Sequence, residues 1–285
     1  MTTPVLEELH KRYPEYLIDI VADQKSDELY TNCPYRGDIF YKNKSLFLRG
    51  GLDLFFKLFG RRYALALDLR TDGFLYLIRC DERITKRKYP GQVHAVEHYL
   101  DHLDIRPKTF GQPPTKIWVT PEDTRIIDIL GFDHGDKILA LGPGANFPGK
   151  IWRHHNFVQM INSLSGQFNK IILLGSSNDR ALAETIVNAV SAEVQNLCGK
   201  TRLLEAAAIM ARSSLFIGND SGLGHIAAAM QTPTITVFGP GNPQRYQPWG
   251  LNSEIVCADS RIIDDVSCEQ VLSIARKLSV HREHM

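Results

Sequence analysis

Residues 214–229 read Ser214-Leu215-Phe216-Ile217-Gly218-Asn219-Asp220-Ser221-Gly222-Leu223-Gly224-His225-Ile226-Ala227-Ala228-Ala229. A short apolar run ends in a glycine-rich turn, and the turn opens a helix of small residues. That order is one strand-to-helix step of a βαβ unit, whose strands lie parallel under covering helices. Glycines at 218, 222 and 224 permit a tight turn and let a ligand approach the backbone N–H groups. The amino end of the helix supplies N–H donors without intrahelical acceptors and the positive end of the helix dipole, which together favour a phosphate. Ala227, Ala228 and Ala229 let the helix sit close to a sheet. On these residues alone, a βα turn that needs glycine only for its backbone is the alternative.

Three further apolar runs end in comparable loops. The run at 137–141 passes into Gly142-Pro143-Gly144-Ala145-Asn146, with Lys150-Ile151-Trp152 close behind, so an ammonium lies beside a glycine-rich strand end and suits a diphosphate. The run at 170–174 passes into Gly175-Ser176-Ser177-Asn178-Asp179, where Asp179 either accepts from a ribose or caps a helix. The run at 234–238 passes into Gly239-Pro240-Gly241-Asn242-Pro243. Helical patterns at 157–168, 180–190, 201–212, 224–230 and, after the capping box Ser267-x-x-Gln270, 271–278 separate or follow these strands. Strand ends that share one edge of a parallel sheet converge on a single crevice. Neither a Walker loop nor a Gly-x-Gly-x-x-Gly fingerprint occurs at these turns. His225 either bonds a phosphate or is a buried structural histidine.

The amino-terminal half predicts strands at 17–21, 38–41 and 63–69 with helices at 4–13, 50–59 and 93–103. A turn-rich passage and a strand-like Lys116-Ile117-Trp118-Val119 then mark the change of domain, giving domains at 1–125 and 126–285. With 44% hydrophobic residues the chain can fill two cores, and 33 basic against 32 acidic residues leave a charge of +1, which does not favour a nucleic-acid binder. Five scattered cysteines without a Cys-x-x-Cys pair predict reduced thiols rather than disulfides or zinc. The spaced histidines His94, His98 and His102, and the pair His154-His155, lack a completing carboxylate, so no metal site is predicted. Arg83, Arg87 and Tyr89 read as a solvated basic face, with contact to an acidic acceptor as the alternative. No apolar run reaches the length of a membrane span, and no signal pattern follows Met1.

Taken together, Gly142-Pro143-Gly144-Ala145 with Lys150-x-Trp152, Leu174-Gly175, the segment Asp220-Ser221-Gly222-Leu223-Gly224-His225-Ile226-Ala227-Ala228-Ala229 and Phe238-Gly239-Pro240 resemble glycosyltransferase family 9. Those are the ADP-heptose:lipopolysaccharide heptosyltransferases and their relatives. The amino-terminal Thr3-Pro4-Val5-Leu6 with Arg12-Tyr13-Pro14, and Leu67-Asp68-Leu69-Arg70, resemble it too. The resemblance implies an α/β chain of GT-B class, two Rossmann-like domains facing across a cleft, with acceptor side first and donor side second. It implies an inverting transfer of a sugar, heptose in the leading case, from a nucleotide-diphosphate donor such as ADP-heptose to a lipid-linked glycan of the lipopolysaccharide core. The implied enzyme uses no cofactor and no metal, and works in the cytoplasm, with peripheral contact at the inner face of the inner membrane. By match to the family's segments, the donor-binding residues are Gly144, Lys150, Asp179, Asp220, Ser221, Gly222 and His225. Family members carry a strand and a Ser-x-Gly-Asp loop just ahead of Thr-x-Pro, and here Met1 stands directly against Thr2-Thr3-Pro4. The expectation is therefore that the first strand and the general-base aspartate lie outside residues 1–285, leaving the catalytic residue unknown. An inactive nucleotide-sugar-binding protein is the competing reading.

Overall fold

The computed structural model describes residues 1–24, 26–41, 49–70, 74–89 and 91–281, with side chains described for all of these except 49–53, 74 and 279–281. Two compact units divide the chain, Met1–Lys108 and Thr109–Met285.

In the first unit, Pro4 occupies the opening turn of α1 (Thr3–Arg12), where its missing N–H forfeits no helical bond. The helix buries Val5 and Leu6, and Arg12 at its end donates to the Leu103 carbonyl at 2.5 Å. There follow β1 (Ile18–Ala22), the single turn α2 (Glu28–Thr31), β2 (Arg36–Tyr41), α3 (Arg49–Phe59), β3 (Arg62–Leu67), β4 (Arg79–Ile84) and α4 (Ala95–Asp101). β1 pairs with β2 and β3 with β4, both in parallel. Among the described residues, these strands form two separate two-stranded ribbons. Phe40, Leu54, Leu58, Ala66, Leu75 and Ile78 form a core against these ribbons.

The histidines are buried, and the basic stretch bonds to backbone around them. Arg83 donates to the carbonyls of Leu75 and Ile78 at 3.1 and 2.9 Å, Arg87 to Asp104 at 2.9 Å, and the Tyr89 hydroxyl to the Val93 carbonyl at 2.9 Å. Arg83 stays exposed while holding the turn at 75–78, and Arg87 and Tyr89, half-buried, brace the loop before α4. The buried histidines hold the same loop: His98 Nε2 donates to the Arg87 carbonyl at 3.1 Å, and His102 Nε2 accepts the Arg87 N–H at 3.0 Å. His94 caps α4, its Nδ1 accepting the Val96 N–H at 3.2 Å.

The second unit begins seventeen residues before the expected boundary at 125/126, since 125 − 108 = 17. Its opening passage packs on its own far end: Phe110 lies 4.5 Å from Trp249 between ring centroids, and the Trp249 indole donates to the Pro113 carbonyl at 2.9 Å. The strand expected at 116–119 forms no ladder and leads into α5 (Pro121–Ile129). Next come β5 (Ile138–Gly142), α6 (His154–Leu164), β6 (Lys170–Leu173), α7 (Arg180–Ala189), β7 (Gln195–Asn196), α8 (Leu203–Arg212), β8 (Leu215–Asn219), α9 (Gly222–Ala229), β9 (Thr234–Phe238), α10 (Pro243–Tyr246), β10 (Ser253–Cys257) and α11 (Cys268–His281). The six strands form one parallel sheet in the order β10-β9-β8-β5-β6-β7. Every residue of β5, β8 and β9 is buried, as both faces of a helix-covered parallel sheet require. Among the described residues, no helix is long and apolar enough to cross a membrane, and no group of three His, Cys, Asp or Glu side chains has the makings of a metal site.

Asp123 joins α5 to α8. Its Oδ2 accepts from the Thr120 N–H and hydroxyl at 3.0 and 2.7 Å, completing a capping box, and its Oδ1 accepts from Arg202 at 3.1 Å. Burial opposes its charge, yet the Thr120 donors and Arg202 outweigh burial and hold the carboxyl below its ordinary value. A lowered acid pKa stabilises the fold above the unfolded carboxylate range, and that contribution is lost as pH falls through the folded value. Replacing Asp123 by Ala is expected to lower stability by about 1–3 kcal/mol in urea titrations at neutral pH. The difference from the parent should shrink as the titrations are repeated at progressively more acid pH; a difference constant with pH would contradict the ionic account.

Candidate functional site

The sheet of the second unit changes direction at β5. From β5 the chain moves outward through β6 and β7, then returns to place β8, β9 and β10 on the other side. Helices leaving β5 and β8 therefore diverge, and a crevice opens above the carboxyl ends of these two strands. The four glycine-rich loops follow β9, β8, β5 and β6, four neighbours in the sheet, so all lie on one edge.

A buried side chain knits three segments together here. Asn219, fully buried at the end of β8, donates from Nδ2 to the Pro143 carbonyl at 2.6 Å and accepts the Trp152 N–H at Oδ1 at 3.2 Å. Trp152 is itself fully buried, with its indole N–H on the Val266 carbonyl at 2.8 Å and its ring 5.3 Å from Phe157. The segment carrying Lys150 is thereby fastened at both ends of a short span. The consequence is an ion pair across seventy residues of sequence: Lys150 Nζ meets Asp220 Oδ2 at 2.5 Å, with the lysine side chain 30% and the aspartate 9% exposed.

The neighbouring loops fit closely round these groups. A side chain on Gly241 would place its Cβ 2.5 Å from Asp220 Oδ2, and one on Gly144 would lie 2.0 Å from Asp179 Oδ1. Glycine at both positions is thus a matter of close approach, not of unusual dihedrals. Asp179 Oδ2 accepts from the Ser176 N–H and hydroxyl, both at 2.7 Å, so it caps the turn before α7. Below it Cys198 is fully buried, and burial, with the Asp179 charge second, pushes its thiol up to about 12. Ser221 stands at the amino cap of α9, its Oγ buried and without a hydrogen-bond partner among the described residues. Gly222, the first helical residue, faces open space, since a Cβ there would meet nothing within 4 Å. His225 lies one turn into α9.

Of the residues named from sequence, the structure brings Lys150 to Asp220 and Asp179 to Gly144, and it sets Ser221, Gly222 and His225 on the first turns of α9. Sequence reasoning did not single out Asn219 as the residue that fastens the loops. Its signal was a polar amide closing an otherwise apolar strand. Chemically, the arrangement offers one ammonium, a helix amino end with an open first residue, and an unsatisfied hydroxyl within one short arc. That donor set suits a compact, strongly charged anion such as a diphosphate.

Comparison with known proteins gives the following. The profile of the family described as Glycosyltransferase family 9 (heptosyltransferase) matches residues 83–273. Lipooligosaccharide heptosyltransferase 2 of Haemophilus influenzae is 33% identical over 193 residues, which are 64% of this chain and 56% of that enzyme. Lipopolysaccharide heptosyltransferase 2 of Salmonella typhimurium is 31% identical over 124 residues, 42% of this chain and 36% of that enzyme. Lipopolysaccharide heptosyltransferase 3 of Escherichia coli is 27% identical over 287 residues, covering 88% of this chain and 82% of its own. The matched segments thus span about half or less of the first two enzymes. Among solved structures, a family 9 glycosyl transferase from Veillonella parvula superposes with a TM-score of 0.86 at 20% identity, covering 98% of this chain and 93% of that one. The E. coli ADP-heptose lps heptosyltransferase II superposes at 0.78 and 20% identity, covering 99% and 95%. These likenesses place the fold in the GT-B class.

Asn219 carries a specific expectation. Asn219→Ala leaves the Trp152 N–H and the Pro143 carbonyl buried without partners, at about 1–3 kcal/mol for each group. Chemical denaturation should show a loss of that order. A variant as stable as the parent would mean that water or a neighbour takes over both bonds.

Proposed function

We propose, from the premise that this chain belongs to glycosyltransferase family 9, that it transfers a heptose from ADP-heptose, with inversion, to a lipopolysaccharide-core acceptor. The donor and acceptor take their chemistry from the relatives, which carry the names of lipopolysaccharide and lipooligosaccharide heptosyltransferases and, in one solved case, of an ADP-heptose enzyme. The observation that carries the proposal is the Lys150–Asp220 pair set beside the amino end of α9.

In this reading the donor diphosphate lies across the first turn of α9. Its oxygens accept from the backbone N–H groups there, from the Ser221 hydroxyl and from Lys150. Lys150 then exchanges part of its contact with Asp220 for the phosphate, and Asp220, relieved, accepts from hydroxyls of the sugar. His225 borders the same pocket from the next turn of α9. Asp179, whose Oδ2 is engaged in the turn, offers Oδ1 to the nucleoside ribose, with Gly144 leaving the space beside it. The acceptor hydroxyl attacks the anomeric carbon from the face opposite the diphosphate, and the bond to the diphosphate oxygen breaks with its electron pair. Charge therefore builds on the leaving diphosphate, where fixed N–H dipoles and an ammonium stabilise it more than they stabilise the bound donor. The base that receives the acceptor proton is not assigned. The reaction belongs to the cytoplasm, at the inner face of the inner membrane where a lipid-linked acceptor is anchored.

Titration of the chain with ADP by calorimetry tests the donor site first. ADP is expected to bind, and Lys150→Ala to weaken it about tenfold or more, the equivalent of losing one charge-assisted hydrogen bond of about 1.5–3 kcal/mol. No heat with ADP, or equal affinity for the variant, removes the diphosphate assignment. Release of ADP from ADP-heptose in the presence of core acceptor tests transfer; binding without release would leave a nucleotide-sugar-binding protein and overturn the enzymatic reading.

A further inference from the structure

Two large apolar side chains stand exposed on the loops around Lys150: Phe147, at 57%, and Ile262, at 55%. Phe147 opens the turn that carries the lysine, and its carbonyl accepts the Lys150 N–H at 2.9 Å. Its ring lies along the backbone of that turn, since a side chain on Gly149 would place its Cβ 2.8 Å from a ring carbon of Phe147. Gly149 in turn abuts the loop after β9. A Cβ on Gly239 would come within 2.9 Å of the Gly149 carbonyl oxygen and 2.8 Å of the Ile263 Cβ. Ile262 precedes Ile263 in a turn fixed by the Trp152 indole on the Val266 carbonyl and by Arg153 on Asp264, both at 2.8 Å. The loops after β5, β9 and β10 thus bring Phe147 and Ile262 to one margin of the site.

The strand order gives this margin its place along a bound ligand. Across the sheet, Asp179 follows β6, Lys150 follows β5, Asp220 follows β8, Gly241 follows β9 and Ile262 follows β10. Asp179, held against Gly144, marks one end of the arc, and the Lys150–Asp220 pair marks its centre. Phe147 belongs to the β5 loop, but the turn it opens abuts the β9 loop, on the side away from β6. A ligand with its ribose at Asp179 and its diphosphate at the centre therefore carries its third part, beyond the second phosphate, toward Phe147 and Ile262. Water is a poor neighbour for a phenyl ring, and a ring set beside convergent polar groups suits a ligand that is itself partly apolar. A pyranose is such a ligand. One of its faces is built of C–H groups, whose hydrogens suit the negative face of an aromatic ring.

We propose that the Phe147 ring is the platform for the C–H face of the sugar that the donor transfers, with Ile262 extending the apolar margin. The inference rests on the donor reading above and carries it from the diphosphate to the sugar. The division of labour follows from chemistry. Lys150, Ser221 and the amino end of α9 hold charge, and hold any nucleoside diphosphate alike. A phenyl ring neither donates nor accepts a conventional hydrogen bond, so it sorts donors by the shape of the sugar's C–H face and not by the pattern of its hydroxyls. ADP alone, which lacks the sugar, does not reach it.

Calorimetric titration with ADP and with ADP-heptose, in the absence of acceptor, separates the two contributions. Phe147→Ala is expected to bind ADP as the parent does and ADP-heptose about tenfold more weakly. Phe147→Tyr keeps the ring and is expected to bind both ligands as the parent does. Because the ring is exposed, Phe147→Ala should unfold at the parent's temperature. Equal weakening of ADP and ADP-heptose by Phe147→Ala overturns the proposal, since the ring would then serve only the turn that holds Lys150. Parental affinity of Phe147→Ala for ADP-heptose overturns it too, and a raised KM for the acceptor alone would give the ring to the acceptor. A parent chain that does not bind ADP removes the diphosphate reading and this proposal together. A parent that binds ADP, with Phe147→Ala unchanged toward ADP-heptose, removes the sugar platform and leaves the diphosphate reading standing.

Discussion

The carboxamide of Asn219 is the point on which the candidate site depends. It is buried at the end of the central strand β8, and an amide can donate and accept at once. That dual capacity lets one side chain satisfy the carbonyl of Pro143 and the N–H of Trp152, which arrive from different parts of the chain. A carboxylate would meet the Pro143 carbonyl with repulsion, and an aliphatic side chain would leave both backbone groups unpaired. With the Trp152 segment held against β8, the backbone fixes where Lys150 begins, and the lysine reaches Asp220 without a long flexible search.

Topology explains why this happens at one edge of the sheet. β5 and β8 are sequence-distant neighbours, and their helices depart to opposite sides. The loops above them are freed from covering helices, and their backbone groups are open to a ligand. Close approach then sorts the residues. Gly144 admits the Asp179 carboxylate and Gly241 admits that of Asp220, so two acidic groups border a site read as binding an anion. The ion pair resolves that conflict for Asp220: with Lys150 at 2.5 Å the pair carries no net charge, and the α9 amino end supplies the remaining positive potential.

The carboxy-terminal unit was legible because its strands are buried on both faces. Runs such as Thr234–Phe238 are continuous, and their ends carry glycine, so element and site coincide in sequence. Less legible was anything decided by partners far along the chain. β7, with two residues, and β10, with its mixed burial, have no apolar run to announce them. Lys116-Ile117-Trp118-Val119 has strand composition but no ladder to join, and the Thr120 capping box that follows draws the chain into α5. Arg87 reads as surface charge, yet its backbone is claimed by His98 and His102 and its guanidinium by Asp104. Helical spacing put those two histidines on one face; only the fold shows that the face meets a loop.

Among the described residues, the two units differ in how their sheets are built. The carboxy-terminal sheet has strands paired on both sides from β9 to β6, and one face of it packs a core with α6, α7 and α11. Its glycine-rich loops therefore rest on a sheet whose inner strands are fully paired. Among the described residues, the amino-terminal strands form two separate two-stranded ribbons, and β1 and β3 both line an apolar cavity.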